Sequence, residues 1–190
     1  MDHSQFESIN ASNMKNILFF FCLVFTLATH AQSAYSLSVK DEEGKDFDVR
    51  KFQGKKLLII LARKDEPDLS KIMQLNSIYK SVKKGAEFIL ISTTEFDSKA
   101  FNYFTRERID SLKLDFPVVG MGKTKKGSLN QSSLFKFLTD KNQNGKFDID
   151  VEVAWQMFAL TESGKLYAVM LGSDDIESGR LLDILKAKTN

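Results

Sequence analysis

The residue types that most often carry chemistry are few in this chain and unevenly placed. Among its 190 residues there is one cysteine, Cys22, and there are two histidines, His3 and His30. All three fall within the first 31 positions. Residues 32–190 therefore offer no thiol nucleophile, no disulfide, no Cys/His zinc set, no haem ligand of either type and no Ser-His or Cys-His triad. What remains is oxygen chemistry. The run Asp140-x-Asn142-x-Asn144-Gly145-x-x-Asp148 alternates oxygen-bearing side chains, turns on a glycine and ends on a ninth-position acid, as an EF-hand-type calcium loop does. Its twelfth position is Val151, where a bidentate acid is wanted, and Asp150 and Glu152 straddle it. The same residues also read as a solvated Asn/Gly turn. Calcium is the one cofactor that the sequence brings into view. A second arrangement is Glu66 and Glu95, each just after an apolar run of strand length. At the carboxyl ends of adjacent strands they would form the acid pair of a hydrolase, although two solvated loop acids are the simpler reading. Gly122-Lys123-Thr124 imitates the end of a phosphate-binding loop, but the glycine required five residues earlier is Pro117.

Composition sets the frame for these residues. The chain is 43% hydrophobic and 27% charged with a formal net charge of +2, which describes a globular protein and excludes a collagen-like or wholly disordered one. The balance is too mild to argue for nucleic acid, and Lys123-Thr-Lys-Lys126 reads as a solvated loop. Ile17 to Ala28 is uncharged and strongly apolar, follows Lys15, and leads to Thr29-His30-Ala31. A basic start, a short apolar run and a small-x-small end form a secretory signal peptide, with cleavage expected before Gln32. The pattern begins better at Met14 than at Met1, because Asp2 and Glu7 do not suit an export signal. The expected organisation is thus a leader over residues 1–31 and one domain over 32–190, exported, with no membrane span in the mature chain.

The elements that must position any site follow from periodicity. Tyr35–Val39 and Phe47–Val49 flank a turn and predict an N-terminal hairpin. Leu57–Ala62 and Phe88–Ile91 are continuous apolar runs, the pattern of strands covered on both faces. Between them Ser70–Lys84 carries Ile72, Leu75, Ile78, Tyr79 and Val82 on one helical face. A second helix is predicted over Ser98–Leu112, with Phe101, Phe104 and Leu112 toward the core, and a short strand at Phe116–Val119. A short helix at Gln131–Leu138, a hairpin of Trp155–Thr161 with Leu166–Leu171, and a last helix at Ile176–Lys186 complete the chain. The order is that of an α/β, thioredoxin-like fold: a mixed central sheet flanked by helices, with the hairpin as an N-terminal extension.

Several segments stand in a telling order: Asp41-Glu-Glu-Gly-Lys45, Phe52-Gln-Gly-Lys55 and Leu57-Leu-Ile-Ile60, then Leu75-Asn-Ser-Ile-Tyr79. Phe116-Pro117, Leu134-Phe-Lys-Phe-Leu138, Asn144-Gly145, Trp155, Phe158 and Gly164-Lys165 follow. Together they resemble the glutathione peroxidase family, the first three its opening, the fourth its first helix and the rest its later half. The family works through a cysteine or selenocysteine at the start of the first helix, assisted by glutamine, tryptophan and asparagine. By the resemblance, Glu66 stands at the cysteine position, Glu95 at the glutamine, Trp155 at the tryptophan and Gln156 at the asparagine. A carboxylate is a poor nucleophile toward peroxide and has no sulfenate-like state to recycle. The resemblance therefore implies descent with the thiol chemistry lost, and Glu66, beside Pro67 and Asp68, reads as part of a helix cap. A binding or interaction module is expected, its partner an unidentified protein or small molecule. The alternatives are a residual or thiol-independent peroxidase and a calcium-stabilised extracytoplasmic module.

Overall fold

The computed structural model describes residues 32–189 apart from 42, 98–100, 122, 173–175 and 177–178. The proposed leader, with Cys22, His3 and His30, lies outside the described residues. The two continuous apolar runs become the inner strands of a sheet. After a small antiparallel hairpin, β1 (Val39–Lys40) and β2 (Asp46–Phe47), come β3 (Lys56–Arg63), α1 (Leu69–Val82), β4 (Ala86–Thr93), α2 (Arg106–Leu112) and β5 (Val118–Gly120). Two short helices, α3 (Ser133–Thr139) and α4 (Lys141–Asn144), precede β6 (Met157–Leu160), β7 (Leu166–Met170) and α5 (Arg180–Lys186). The five-stranded sheet runs β5-β4-β3-β6-β7. β3, β4 and β5 are parallel, and β6 runs antiparallel to β3 and to β7, so the sheet is mixed as the element order implies.

The two-residue period of β3 divides the core. Leu57, Ile59 and Leu61 face one cluster, with Val49, Phe52 and the α3 residues Leu134, Phe135 and Leu138. Leu58, Ile60 and Ala62 face the other, with Ile72, Leu75 and Tyr79 of α1 and Leu181 and Leu185 of α5. All six of these β3 side chains are at most 1% exposed, which is why the run carries no polar alternation. Among the described residues no helix is long and apolar enough to cross a membrane.

Four predicted elements are altered. The first half of the expected hairpin strand is a 3-10 turn, Ala34–Ser36, because Ser33 caps it and the Tyr35 hydroxyl donates to the Lys55 carbonyl at 3.0 Å, drawing the ring inward. The expected helix over Ser98–Leu112 begins only at Arg106. Residues 98–100 lie outside the described residues. Residues 101–105 are not helical: the Tyr103 N–H donates to the Lys64 carbonyl at 2.8 Å, and Thr105 caps α2. Phe101, expected in the core, is 49% exposed. Trp155 is not in a strand. Its φ is +68°, in the left-handed region that branched and bulky residues avoid, and β6 starts two residues later. The Asp140 segment, expected to be loop, contains α4.

Candidate functional site

Sites on open α/β sheets form beyond the carboxyl ends of the parallel strands. Here that region comprises the β3–α1 loop, the chain leaving β4, and the loop between β5 and α3. The β3–α1 loop ends on Asp68, the N-cap of α1, whose Oδ1 accepts from the backbone N–H groups of Ser70 at 3.0 Å and Lys71 at 3.2 Å. The cap is thus Asp68 rather than Glu66, and these bonds, with the Ser70 hydroxyl, hold its carboxyl below the ordinary range. Pro67 is buried and Glu66 is exposed.

The buried acid of this loop is the neighbour of Glu66. Asp65 is 4% exposed and lies against the last residue of β3: Arg63 donates from Nε to Oδ1 and from Nη2 to Oδ2, both at 2.9 Å. Asp97, beyond the end of β4, accepts at Oδ1 from the backbone N–H of Lys64 at 2.9 Å and of Asp65 at 3.2 Å. Burial pushes the Asp97 carboxyl up. The two N–H donors pull it back, and the charge and side-chain hydrogen bond of Asp65 push it up again, for a net upward shift. The two strand ends are therefore joined by acids, but they are Asp65 and Asp97, linked through the Asp65 backbone N–H rather than as the expected Glu66 and Glu95. Glu95, expected there, instead crosses to the β5–α3 loop, where its Oε1 accepts from the N–H groups of Thr124 at 3.0 Å and Lys125 at 3.4 Å. Beneath it Thr93 and Thr124, both fully buried, bring their hydroxyls to 3.5 Å, and Gln131 Nε2 donates to the Thr124 carbonyl at 3.0 Å.

Trp155 and Gln156 sit on the other side of β3. Trp155 is half-buried against the cluster of α1 and α5, and its N–H donates to the Leu61 carbonyl at 2.8 Å. Gln156 is fully buried. Its Nε2 donates to the Asp150 carbonyl at 2.8 Å and its Oε1 accepts from the Glu152 N–H at 2.9 Å, which closes the loop before β6. Both ends of that amide are engaged with backbone.

The calcium-like segment is built on protein contacts. Asp140 caps α4, its Oδ1 accepting from the Asn142 N–H at 2.9 Å. Asn144 is 4% exposed. Its Nδ2 donates to the carbonyls of Phe137 and Phe147, both at 2.9 Å, and of Leu138 at 3.4 Å, while its Oδ1 accepts from the N–H groups of Lys146 at 2.8 Å and Phe147 at 2.7 Å. Asp148 pairs with the Lys126 ammonium, which holds its carboxyl below the ordinary range. Val151, in the place of the twelfth-position acid, is a core residue 1% exposed. Among the described residues no cluster of three His, Cys, Asp or Glu side chains could hold a metal ion.

No family model matches the chain. It is 28% identical over 146 residues to "Probable glutathione peroxidase 3, mitochondrial" of Arabidopsis thaliana, an alignment covering 74% of this chain and 69% of that protein. It is also 28% identical over 141 residues to "Probable glutathione peroxidase 8" of the same plant, covering 70% and 81%. Among solved structures, GPX1 of T. cruzi superposes with a TM-score of 0.60 at 16% identity, over 81% of this chain and 97% of that one. The apo form of Trgpx gives 0.58 at 19%, over 83% and 97%. The chain is glutathione-peroxidase-like, with a thioredoxin-like fold. In the β3–α1 loop of this glutathione-peroxidase-like chain Glu66 lies on the surface and Asp65, clamped by Arg63, is buried beside it. Sequence reasoning missed Arg63, Asp65 and Asp97. One signal existed for the first two: Arg63-x-Asp65 leaves a strand at a two-residue spacing, which places both side chains on one face.

Proposed function

We propose that residues 32–190 are an exported, glutathione-peroxidase-like module that has lost thiol peroxidase chemistry and acts by binding a protein or a small molecule. One observation carries this reading: the loop between β3 and α1, where the resemblance would put the family's nucleophile, offers carboxylates and no thiol. Asp65 is locked by Arg63, and Glu66 has no redox chemistry to offer. The sequence supports it, since the chain's single cysteine is Cys22. At the positions that the resemblance gives to two of the family's assisting groups, Glu95 and Gln156 both make hydrogen bonds to backbone. The apolar run from Ile17 to Ala28 and the small residues at Thr29 and Ala31 support export.

The test is reduction of hydrogen peroxide and of a lipid hydroperoxide by the full chain, with glutathione or thioredoxin as reductant, beside its Cys22→Ser variant. No turnover above a heat-denatured control is expected from either. Turnover that survives Cys22→Ser would overturn the reading outright, and turnover lost with it would place a thiol function on residue 22. Export is checked separately, by whether material recovered outside the cytoplasm begins at Gln32.

A further inference from the structure

The five-stranded sheet has two edges, β5 and β7, and the chain treats them differently. On β7 the register slips: Ala168 and Leu166 lie opposite the successive residues Ala159 and Leu160, and the Tyr167 carbonyl between them accepts from the Lys146 ammonium at 3.1 Å. A bulge and a lysine are two means by which an edge is kept from taking a further strand. On β5 neither is present among the described residues. The Pro117 carbonyl accepts from the Leu90 N–H at 3.0 Å, and the Met121 N–H donates to the Ser92 carbonyl at 2.9 Å, so residues 117, 119 and 121 face β4. By the alternation of a strand, the N–H and C=O groups of Val118 and Gly120 point the other way. Among the described residues nothing pairs with them.

That edge lies on the floor of a groove of about 520 Å³. One wall is the turn of the N-terminal hairpin, with Glu43, Lys45 and Phe47; the other holds Phe104, Arg106 and Ile109, at and before the first turn of α2. Phe47, Ile109 and Val118 are only half-buried and leave apolar surface within it. The charged side chains that line it are Asp41, Glu43, Lys45 and Arg106, two of each sign. Lys45 pairs with Glu43 at 2.6 Å and Arg106 with Asp110 at 3.3 Å. A groove with no net charge does not draw in a nucleic acid or a highly charged peptide. A second copy fits poorly, because its own β5 is recessed between the same two walls. The chain's ends are held at the opposite edge of the sheet: the Ala34 N–H donates to the Gly164 carbonyl in the β6–β7 turn at 2.9 Å, and the Thr189 hydroxyl donates to the Glu162 carboxylate.

We propose that the β5 edge takes up an extended, uncharged peptide segment of a partner protein, which joins the sheet as a further strand. The ligand class follows from the groups on offer: a polypeptide backbone matches paired N–H and C=O groups repeating every two residues, about 6.7 Å apart. Main-chain hydrogen bonds at Val118 and Gly120 supply the hold, and the hairpin turn and α2 receive the side chains on either face. The proposal rests on the binding role above and names its surface and the class of its partner.

The test uses the full chain and, as probe, an acetylated and amidated peptide of alternating threonine and valine. Amide hydrogen exchange is read at Val118 and Gly120, with Met121, already bonded to Ser92, as internal reference. At a peptide concentration about ten times Kd, exchange at the first two should slow about tenfold, as 1 + [L]/Kd, and Met121 should not change. The same peptide N-methylated throughout has no N–H to donate and should protect neither. Gly120→Pro removes one outward N–H and leaves the pairing with β4, so the protection at Val118 should be lost; should it fail to fold, the methylated peptide still decides. Three results overturn the edge site: no protection at millimolar peptide, equal protection by the methylated peptide, or protection present before any peptide is added. The last would mean a second copy if it rises with protein concentration, and the chain's own leader if it vanishes when residues 1–31 are removed. Each of these leaves the loss of peroxidase chemistry to its own turnover assay.

Discussion

Replacing Asn144 with alanine separates two accounts of the Asp140–Asp148 segment. If the segment is a cation loop, its side chains matter when calcium is present. If it is held by its own hydrogen bonds, Asn144 matters always. Four of the Asn144 bonds lie between 2.7 and 2.9 Å, and they tie the end of α3 to the chain at Lys146 and Phe147. At about 1 kcal/mol net for each bond, their loss costs roughly 4 kcal/mol. Lys146 is exposed and Phe147 half-buried, so water can replace part of what is lost at their N–H groups, leaving about 3 kcal/mol. For a domain of this size that lowers Tm by about 6–12 °C. Asp148→Ala is the control: it removes an ion pair in which both side chains are largely exposed, and Tm should hardly move. Both variants and the parent are melted by calorimetry in chelator and again in millimolar calcium. The structural account expects the Asn144 loss in both buffers and no calcium shift in the parent. A parent that gains several degrees from calcium, with Asn144→Ala and Asp148→Ala both losing that gain, would refute the reasoning.

Two further substitutions test the anchors of the domain. Gly164 has a φ of +81°, and a Cβ there would stand 2.4 Å from Ser33 Oγ and 2.6 Å from Tyr35 Cδ2, so Gly164→Ala should cost at least about 2 kcal/mol in chemical denaturation, from left-handed strain and displacement of the N-terminal turn together. Lys56 is 4% exposed and its ammonium caps the end of α5, donating to the carbonyls of Leu185 at 3.0 Å, Ile184 at 3.4 Å and Ala187. Lys56→Met should lower stability by about 2–3 kcal/mol, read as a lower urea midpoint at unchanged slope.

The parts of the fold that were legible are those in which every residue answers to one period. β3 and β4 show as unbroken apolar runs because both their faces are covered, and α1 shows because Ile72, Leu75 and Tyr79 repeat on one face. Illegible were the places where a hydrogen bond from elsewhere overrides local preference. Nothing near Phe101 announces that the Tyr103 N–H will be taken by Lys64, thirty-nine residues earlier, and that this keeps residues 101–105 out of a helix. Trp155 read as a strand residue because its neighbours alternate. Its left-handed backbone is fixed by its N–H bond to Leu61 and the closure made by Gln156. At the candidate site, the resemblance gave Glu66 and Glu95, each within two residues of the acids that link the two loops, Asp65 and Asp97. In a loop no period decides which of two adjacent acids turns inward. Here the choice falls to Arg63, which can reach Asp65 from the strand end.

The placement of β3 in the middle of the sheet has a consequence for the order of synthesis. One edge of β3 is satisfied by β4, which the ribosome delivers directly after α1. The other edge pairs with β6, Leu57 opposite Leu160, roughly 100 residues later in the chain. Until β6 is available, the nascent protein holds an eight-residue strand, six of its residues apolar in sequence, with one row of N–H and C=O groups unmatched, a ready template for a neighbouring chain. Long sequence separation also makes this the slow closure. A product that stops before Met157 would keep that edge open permanently. It should associate rather than fold, and the growing chain is best protected by a holdase that grips extended apolar segments until its last third has been made.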